Sequence, residues 1–378
     1  MRPLSEKIGN IAPSATLRIA AQARAMQAKG IDVISLSLGE PDFDTPRHIT
    51  EAAITALREG KTHYAPGRGI PELLSAISEK VTRENNIPCD PNQVIVTCGA
   101  KSAVHESCEA VLTAGDEAII LDPSWVSYEP CIQIAGGKPV HVPLSDQNFQ
   151  PDDRLAEAIN KKTRMIIVNS PSNPSGSVLE KESLKMVADL CVDHDLIALS
   201  DEIYEKLIYG KVHHSLGALP DMADRTITIN GFSKAYAMTG WRLGYAVAPE
   251  PILKLMDTFQ QHTTSQATTF AMYGAVAALN GSQDCVTEMC DEFERRKNNV
   301  ISGLSKIGLQ TSPADGAFYA FINVQGDDML VTSEWLEKGR VAVTPGFAFN
   351  SPGWVRMSYA ASQEQLDEAI ERISRLYT

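Results

Sequence analysis

The 378 residues exceed what one hydrophobic core usually organises, so two domains are expected. Hydrophobic residues make up 43% of the chain and charged residues 21%, the proportions of a globular protein and not of a disordered or fibrous one. The net charge of −13 has the wrong sign for nucleic acid or an anionic membrane, whose phosphates call for an excess of Lys and Arg, although a local positive pocket for a small anion stays compatible with it.

The stretch Met1-Arg2-Pro3-Leu4-Ser5-Glu6-Lys7 is too polar for the apolar region of a signal peptide, and no apolar run approaches the ~18–20 residues that span a bilayer. From about residue 46 to 250, short apolar runs alternate with helical patterns. Val94-Ile95-Val96, Ala118 to Leu121, Met165 to Val168, Leu196 to Leu199 and Thr226 to Ile229 predict strands buried on both faces. Between them, Glu180 to His194 carries Leu184, Val187, Ala188 and Cys191 at helical spacing. Strands alternating with helices predict a mainly parallel sheet covered on both sides. After about residue 282 the pattern changes to a long charged helix (284–306) and an aromatic strand (Ala317 to Phe321). A strand around Val355 to Ser358 and a last helix from Gln363 to Leu376 follow. The expected division is a large domain at 41–282 and a smaller α+β domain formed by 1–40 and 283–378. The seven cysteines form no Cys-x-x-Cys pair, and the eight histidines lack ligand spacing beside them. Reduced thiols in a cytoplasmic protein are expected, and no metal.

In an open α/β sheet, ligands bind beyond the carboxyl ends of the strands. Three polar segments fall there. They are Asn169 to Gly176, Ser200-Asp201-Glu202-Ile203-Tyr204, and Asn230-Gly231-Phe232-Ser233-Lys234 continuing to Trp241-Arg242-Leu243-Gly244. Taken singly, each has an ordinary structural explanation: Asn173-Pro174 a turn, Asp201 a helix cap, Lys234 a solvated lysine, Arg242 a surface ion pair. On an open sheet of this kind they are expected to bring an amide, a carboxylate, a phenol and an amine toward one crevice.

The segment Gly231 to Gly244 resembles the lysine signature of the class I and II aminotransferases. Asn173, Asp201, Tyr204, Lys234, Arg242 and Arg356 resemble that family's functional residues in identity, order and spacing. The resemblance runs from Pro13-Ser14-Ala15-Thr16 to the final helix and is greatest to the bacterial and archaeal aspartate aminotransferases. It implies the family's fold: an α/β architecture with a mainly parallel seven-stranded sheet flanked by helices, plus the smaller α+β domain. It also implies pyridoxal 5′-phosphate as cofactor, held by Lys234 as a Schiff base, and ping-pong transfer of an amino group from an L-amino acid to a 2-oxo acid.

The residue types suit that chemistry. Transamination removes the α-proton of an amino acid and stores the negative charge in the pyridine ring. By the resemblance, Lys234 shuttles that proton, Asp201 keeps the ring nitrogen protonated, and Tyr204 and Asn173 donate to the phenolic oxygen. Gly99-Ala100-Lys101, at a strand-to-helix junction, can point backbone N–H groups at a phosphate. Ser233 and Arg242 complete the phosphate site. Trp125 stacks on the ring, and Tyr64 reaches in from a second subunit, which implies a homodimer. Position 231 departs from the family pattern, being Gly where many relatives carry Ser. Arg356 is implied as the clamp on the substrate α-carboxylate, with Gly39 near the substrate. No Arg occurs from His262 to Phe270, where the other branch finds its side-chain ligand. Lys101 and Thr16 are the implied substitutes, against readings as a solvated lysine and a capping threonine. Aspartate with 2-oxoglutarate is the leading pair; aromatic amino acids, prephenate or alanine could use the same Arg356. A β-lyase on the same scaffold and a non-catalytic cofactor-binding regulator are the rivals. A nicotinamide dehydrogenase is disfavoured, because Gly67-Arg68-Gly69-Ile70-Pro71-Glu72 lacks the third glycine of the dinucleotide fingerprint.

Overall fold

The computed structural model describes residues 4–145 and 148–377; Met1 to Pro3 of the polar N-terminal stretch lie outside the described residues. Its centre is a seven-stranded sheet in the order Val94–Thr97, Gly244–Val247, Thr226–Gly231, Ile197–Asp201, Thr163–Asn169, Glu117–Asp122, Lys138–Pro143. Gly244–Val247 alone runs antiparallel to its neighbours. The five expected strands all lie in this sheet.

The near-continuous apolar runs have the predicted cause. Ile120, Ile167 and Leu199 pack with Ala103, Val104 and Leu253 from the helices Ala100–Val111 and Glu250–Thr263. Their sequence neighbours Ile119, Ile166 and Ala198 pack with Leu184, Val187 and Cys191 of Lys181–Asp193 on the other side. Alternate side chains of one strand therefore leave water on opposite faces, each large one contributing about 1.5–3 kcal/mol.

A second, antiparallel sheet orders Thr344–Pro345, Trp354–Ser358, Tyr319–Asn323 and Gln310–Thr311. It is packed by the helices Asp284–Lys306 and Gln363–Ser374 around Phe293, Phe318, Leu304 and Leu366. Ile34–Ser35 pairs in parallel with Val341–Ala342, tying the N-terminal stretch to this unit. The aromatic strand starts two residues later than expected. Ala317, at φ 58°, lies in the left-handed region and cannot continue an extended chain. No helix among the described residues is long and apolar enough to cross a membrane.

Candidate active site

The parallel strands Thr163–Asn169, Ile197–Asp201 and Thr226–Gly231 end side by side, with Asn169 opposite Asp201 and Asp201 opposite Ile229. Their carboxyl ends open into a cavity of about 400 Å³ facing the second sheet. Thr16, Gly39, Ala100, Lys101, Trp125, Asn173, Asp201, Tyr204, Ser233, Lys234, Arg242 and Arg356 all line it. Two expected residues do not. Tyr64 is 91% exposed and outside the cavity, and Gly99 stands behind Arg242.

Asp201 is buried at the strand end. Its Oδ2 accepts from the Tyr128 hydroxyl at 2.7 Å and its Oδ1 from the Ile203 N–H at 3.2 Å. Burial pushes its carboxyl up to about 6, with those two donors and the Lys234 charge pulling the other way. Asn169 braces the same corner, donating to the Asp201 carbonyl at 2.9 Å and accepting from the Asn173 N–H at 2.8 Å.

Lys234 follows the Thr226–Gly231 strand through a turn, and its Nζ donates to the Gly39 carbonyl at 2.6 Å. Burial lowers its ammonium to about 8; Glu40 opposes this, and the charges of Arg356 and Arg242 add to it. That value makes a neutral, nucleophilic amine accessible near physiological pH.

Arg356 comes from the second sheet and is 2% exposed. Nη1 donates to Asn173 Oδ1 at 2.8 Å and Nη2 to the Ser37 carbonyl at 2.6 Å, while Nε is buried without a partner among the described residues. The guanidinium lies between the Tyr319 and Phe349 rings, 4.6 and 4.8 Å from their centroids. It has no carboxylate partner among the described residues.

The opposite end is built from backbone. Gly99, at φ 84°, caps the helix Ala100–Val111. A Cβ on Gly244 would overlap the Ala100 nitrogen, so glycine there is what lets the helix start rest on the sheet. Arg242, itself left-handed at φ 55°, donates from Nη1 to the Thr239 carbonyl at 2.8 Å, and its Nη2 would lie 2.6 Å from a Cβ on Gly99. The unusual Gly231 sits opposite Gly244, and a Cβ on it would press on Gly244 Cα and the Leu243 carbonyl, both at 3.0 Å. Its lack of a hydroxyl goes with that close crossing.

Lys101 Nζ lies 5.0 Å from the Trp125 ring, and burial, seconded by Arg242, lowers its ammonium. Trp125 lies ahead of the helix Tyr128–Ala135 and not inside its start. The capping reading of Thr16 is corrected: Ser14 caps the helix Ala15–Gln27, leaving Thr16 in its first turn at the cavity. Asp201 is no helix cap either, since it ends a strand. Sequence reasoning gave no role to Tyr128, whose bond to Asp201 joins distant segments, or to Tyr319, whose hydroxyl lies 2.8 Å from that of Tyr204. Tyr319 lies in the aromatic run 317–321, whose local signal is core packing, and Tyr128 carries no local signal of a role.

The family model "Aminotransferase class I and II" matches residues 31–373. The chain is 43% identical over 385 aligned positions to the probable aspartate/prephenate aminotransferase of Aquifex aeolicus (strain VF5), covering 98% of each chain. To the aspartate aminotransferase of Bacillus subtilis (strain 168) it is 44% identical, again over 98% of each. The solved structure of the Thermus thermophilus aspartate aminotransferase with maleate superposes with a TM-score of 0.97 at 41% identity, over 100% of both chains. The chain belongs to the class I and II aminotransferases. It is an enzyme of amino-group transfer, and membership implies pyridoxal phosphate as its cofactor. The residues present fit that group. A helix start with Ser233 and Arg242 offers donors to a phosphate, Lys234 an amine to an aldehyde, and the buried Asp201 carboxylate a partner to a ring N–H.

Proposed function

We propose that this aminotransferase takes the amino group from L-aspartate and passes it to 2-oxoglutarate. The observation that carries the reading is Arg356, a buried guanidinium whose Nε has no partner among the described residues and which lines one cavity with Lys101 and Lys234. A buried cation without an anion calls for one from the substrate, and the fork of Arg356 suits an α-carboxylate. Lys101 and Thr16 supply a second polar pole for a side-chain carboxylate. The names of the relatives from Aquifex aeolicus and Bacillus subtilis support the same substrate class.

When bound, pyridoxal phosphate supplies an electron sink for the Cα carbanion charge. The chain's residues do the rest. Lys234, its ammonium lowered to about 8, gives up its place to the incoming amine and then carries the proton removed from Cα. Asp201 keeps its charge beside the ring nitrogen, steadied by Tyr128. Tyr204 and Asn173 direct hydrogen-bond donors toward the phenolic oxygen. Ala100, Ser233 and Arg242, which line the cavity, would hold the phosphate, with Gly99 behind Arg242 shaping the helix start; Trp125 would cover the ring, and Arg356 with Gly39 would orient the Cα–H bond.

The working unit in this reading is a homodimer in which Tyr64, too exposed to serve its own cavity, serves its partner's. The large unit spans 41–282, and the small unit 1–40 with 283–378. All seven cysteines are free, which suits the cytoplasm.

The test is the absorption spectrum of the purified holoenzyme on adding L-aspartate without any keto acid. Loss of the visible band with stoichiometric oxaloacetate is the expected result. A bound cofactor that aspartate leaves unchanged rejects aspartate as donor, and pyruvate with ammonia released from a cysteine conjugate would point to a lyase. Lys234→Ala should retain cofactor noncovalently and lose turnover.

A further inference from the structure

Tyr319 touches both halves of the site described above without having a part in it. Its hydroxyl lies 2.8 Å from the Tyr204 hydroxyl, and its ring carries the Arg356 guanidinium at 4.6 Å. Both tyrosines are buried, at 0% and 3% exposure. The fit extends to the loop across the cavity, because a Cβ at Gly39 would overlap the Tyr319 hydroxyl. Gly39 is also the residue whose carbonyl accepts from Lys234. Three groups of the proposed reaction therefore converge on one phenol.

We propose that Tyr319 is a positioning residue for amino-group transfer: its hydroxyl aims the Tyr204 phenol at the cofactor's phenolic oxygen, and its ring supports the Arg356 guanidinium. The inference rests on the roles of Tyr204 and Arg356 in the reading above. A phenol has one proton to donate, so if Tyr204 spends it on the cofactor, the 2.8 Å contact must run from Tyr319 as donor to Tyr204 as acceptor. Accepting that bond polarises Tyr204 and strengthens its own donation. Better donation to the phenolic oxygen favours the deprotonated form of the lysine-linked cofactor. The charged groups facing Lys234 are Glu40, Arg356, Arg242 and Asp201. A phenylalanine at 319 changes none of them, so the hydroxyl acts only through Tyr204.

The experiment uses the holoenzyme with Tyr319→Phe, Tyr319→Leu and Tyr204→Phe. Titrating the visible band of the substrate-free protein against pH reads the linkage, independently of turnover. Tyr319→Phe should raise the midpoint by about half a unit to one unit, the size of one neutral hydrogen bond. It should lower kcat while keeping KM for the amino acid within about twofold, because the ring still carries Arg356. Tyr319→Leu should raise KM as well. Gly39→Ala, which displaces the hydroxyl, should mimic Tyr319→Phe in the wild-type background and add little to it in the double variant. A midpoint that moves with Tyr204→Phe and not with Tyr319→Phe overturns the inference alone. One that moves with neither overturns it together with the role of Tyr204. Equal KM rises in Tyr319→Phe and Tyr319→Leu would remove the support role of the ring.

Discussion

Arg356 and Glu106 are both buried ionisable residues, and the structure treats them differently. Arg356 has aromatic rings at 4.6 and 4.8 Å and an Nε without a partner among the described residues, so its charge has a use when an anion enters. Arg356→Lys keeps the charge and loses the fork; kcat/KM should fall about 100-fold for aspartate and alanine alike, taking ~3 kcal/mol for a truncated buried charge pair. Lys101→Ala, by contrast, should cost activity toward aspartate and spare alanine, and equal losses would refute its role as side-chain ligand. Glu106, 1% exposed, accepts from Ser102 at 2.8 Å, but its Oε2 has no partner among the described residues. Burial, reinforced by the charge of Asp257 and opposed by Ser102, pushes its carboxyl up to about 8. The folded chain thus holds a proton there that the unfolded chain releases above about 4.5. The stability tied to that proton is whole below about 4.5 and is lost as pH rises through about 8. Glu106→Gln should therefore gain on the wild type in denaturant titrations as pH goes from 5 to 8; a constant difference would mean that Glu106 is ionised throughout.

At the scale of elements, the end of Ile197–Asp201 brings Asp201 to the cavity and the turn after it brings Tyr204, and that turn is anchored from behind by its other residues. Lys80, from the helix Pro71–Glu84, makes an ion pair with Glu205 and donates to Asn85 at 2.7 Å. Asn85 in turn donates to Glu202 at 3.2 Å, and His213 and Ser215 meet the same Glu202 oxygen at 2.9 and 2.6 Å. Burial works to raise Glu205, but the Lys80 and His213 charges prevail and hold its carboxyl below the usual range. Lys80→Met removes the nearest cation and leaves Glu205 with the Asn85 amide at 2.6 Å and the charge of His213, and should cost about 3 kcal/mol in chemical denaturation. Strands of this kind were legible in the sequence wherever both faces are covered, because burial on two sides writes an uninterrupted apolar run. Two strands of the large sheet were not. Lys138–Pro143 lies at the sheet edge, where Pro139 and Pro143 and several exposed positions break the pattern. Gly244–Val247 is four residues long and begins on a glycine chosen for its contact with Ala100. In the site, groups with a dedicated chemistry could be read from their motifs. Tyr319 could not, since its use depends on Tyr204, Arg356 and Gly39, which only the fold brings to it.

Across the whole molecule, the cavity is shared between the two sheets: Asp201 ends a strand of the large one and Lys234 follows another, while Arg356 and Tyr319 belong to the small one. If Tyr64 completes a partner's cavity, mixing Lys234→Ala with Tyr64→Phe subunits should give activity above the sum of the two separate variants. One site of each mixed dimer then has both residues intact. No gain on mixing would make Tyr64 a residue of its own subunit or of none. The order of the large sheet also bears on how the chain is made. Val94–Thr97 stands at the sheet edge, and its one neighbour, Gly244–Val247, is separated from it by everything from 98 to 243. Ile34–Ser35 waits longer still, for Val341–Ala342. A ribosome must therefore deliver nearly two-thirds of the chain before the first strand of the large sheet finds its only partner. Until then the backbone N–H and C=O groups of Val94–Thr97 form an unpaired strand edge, the kind that invites pairing with another chain.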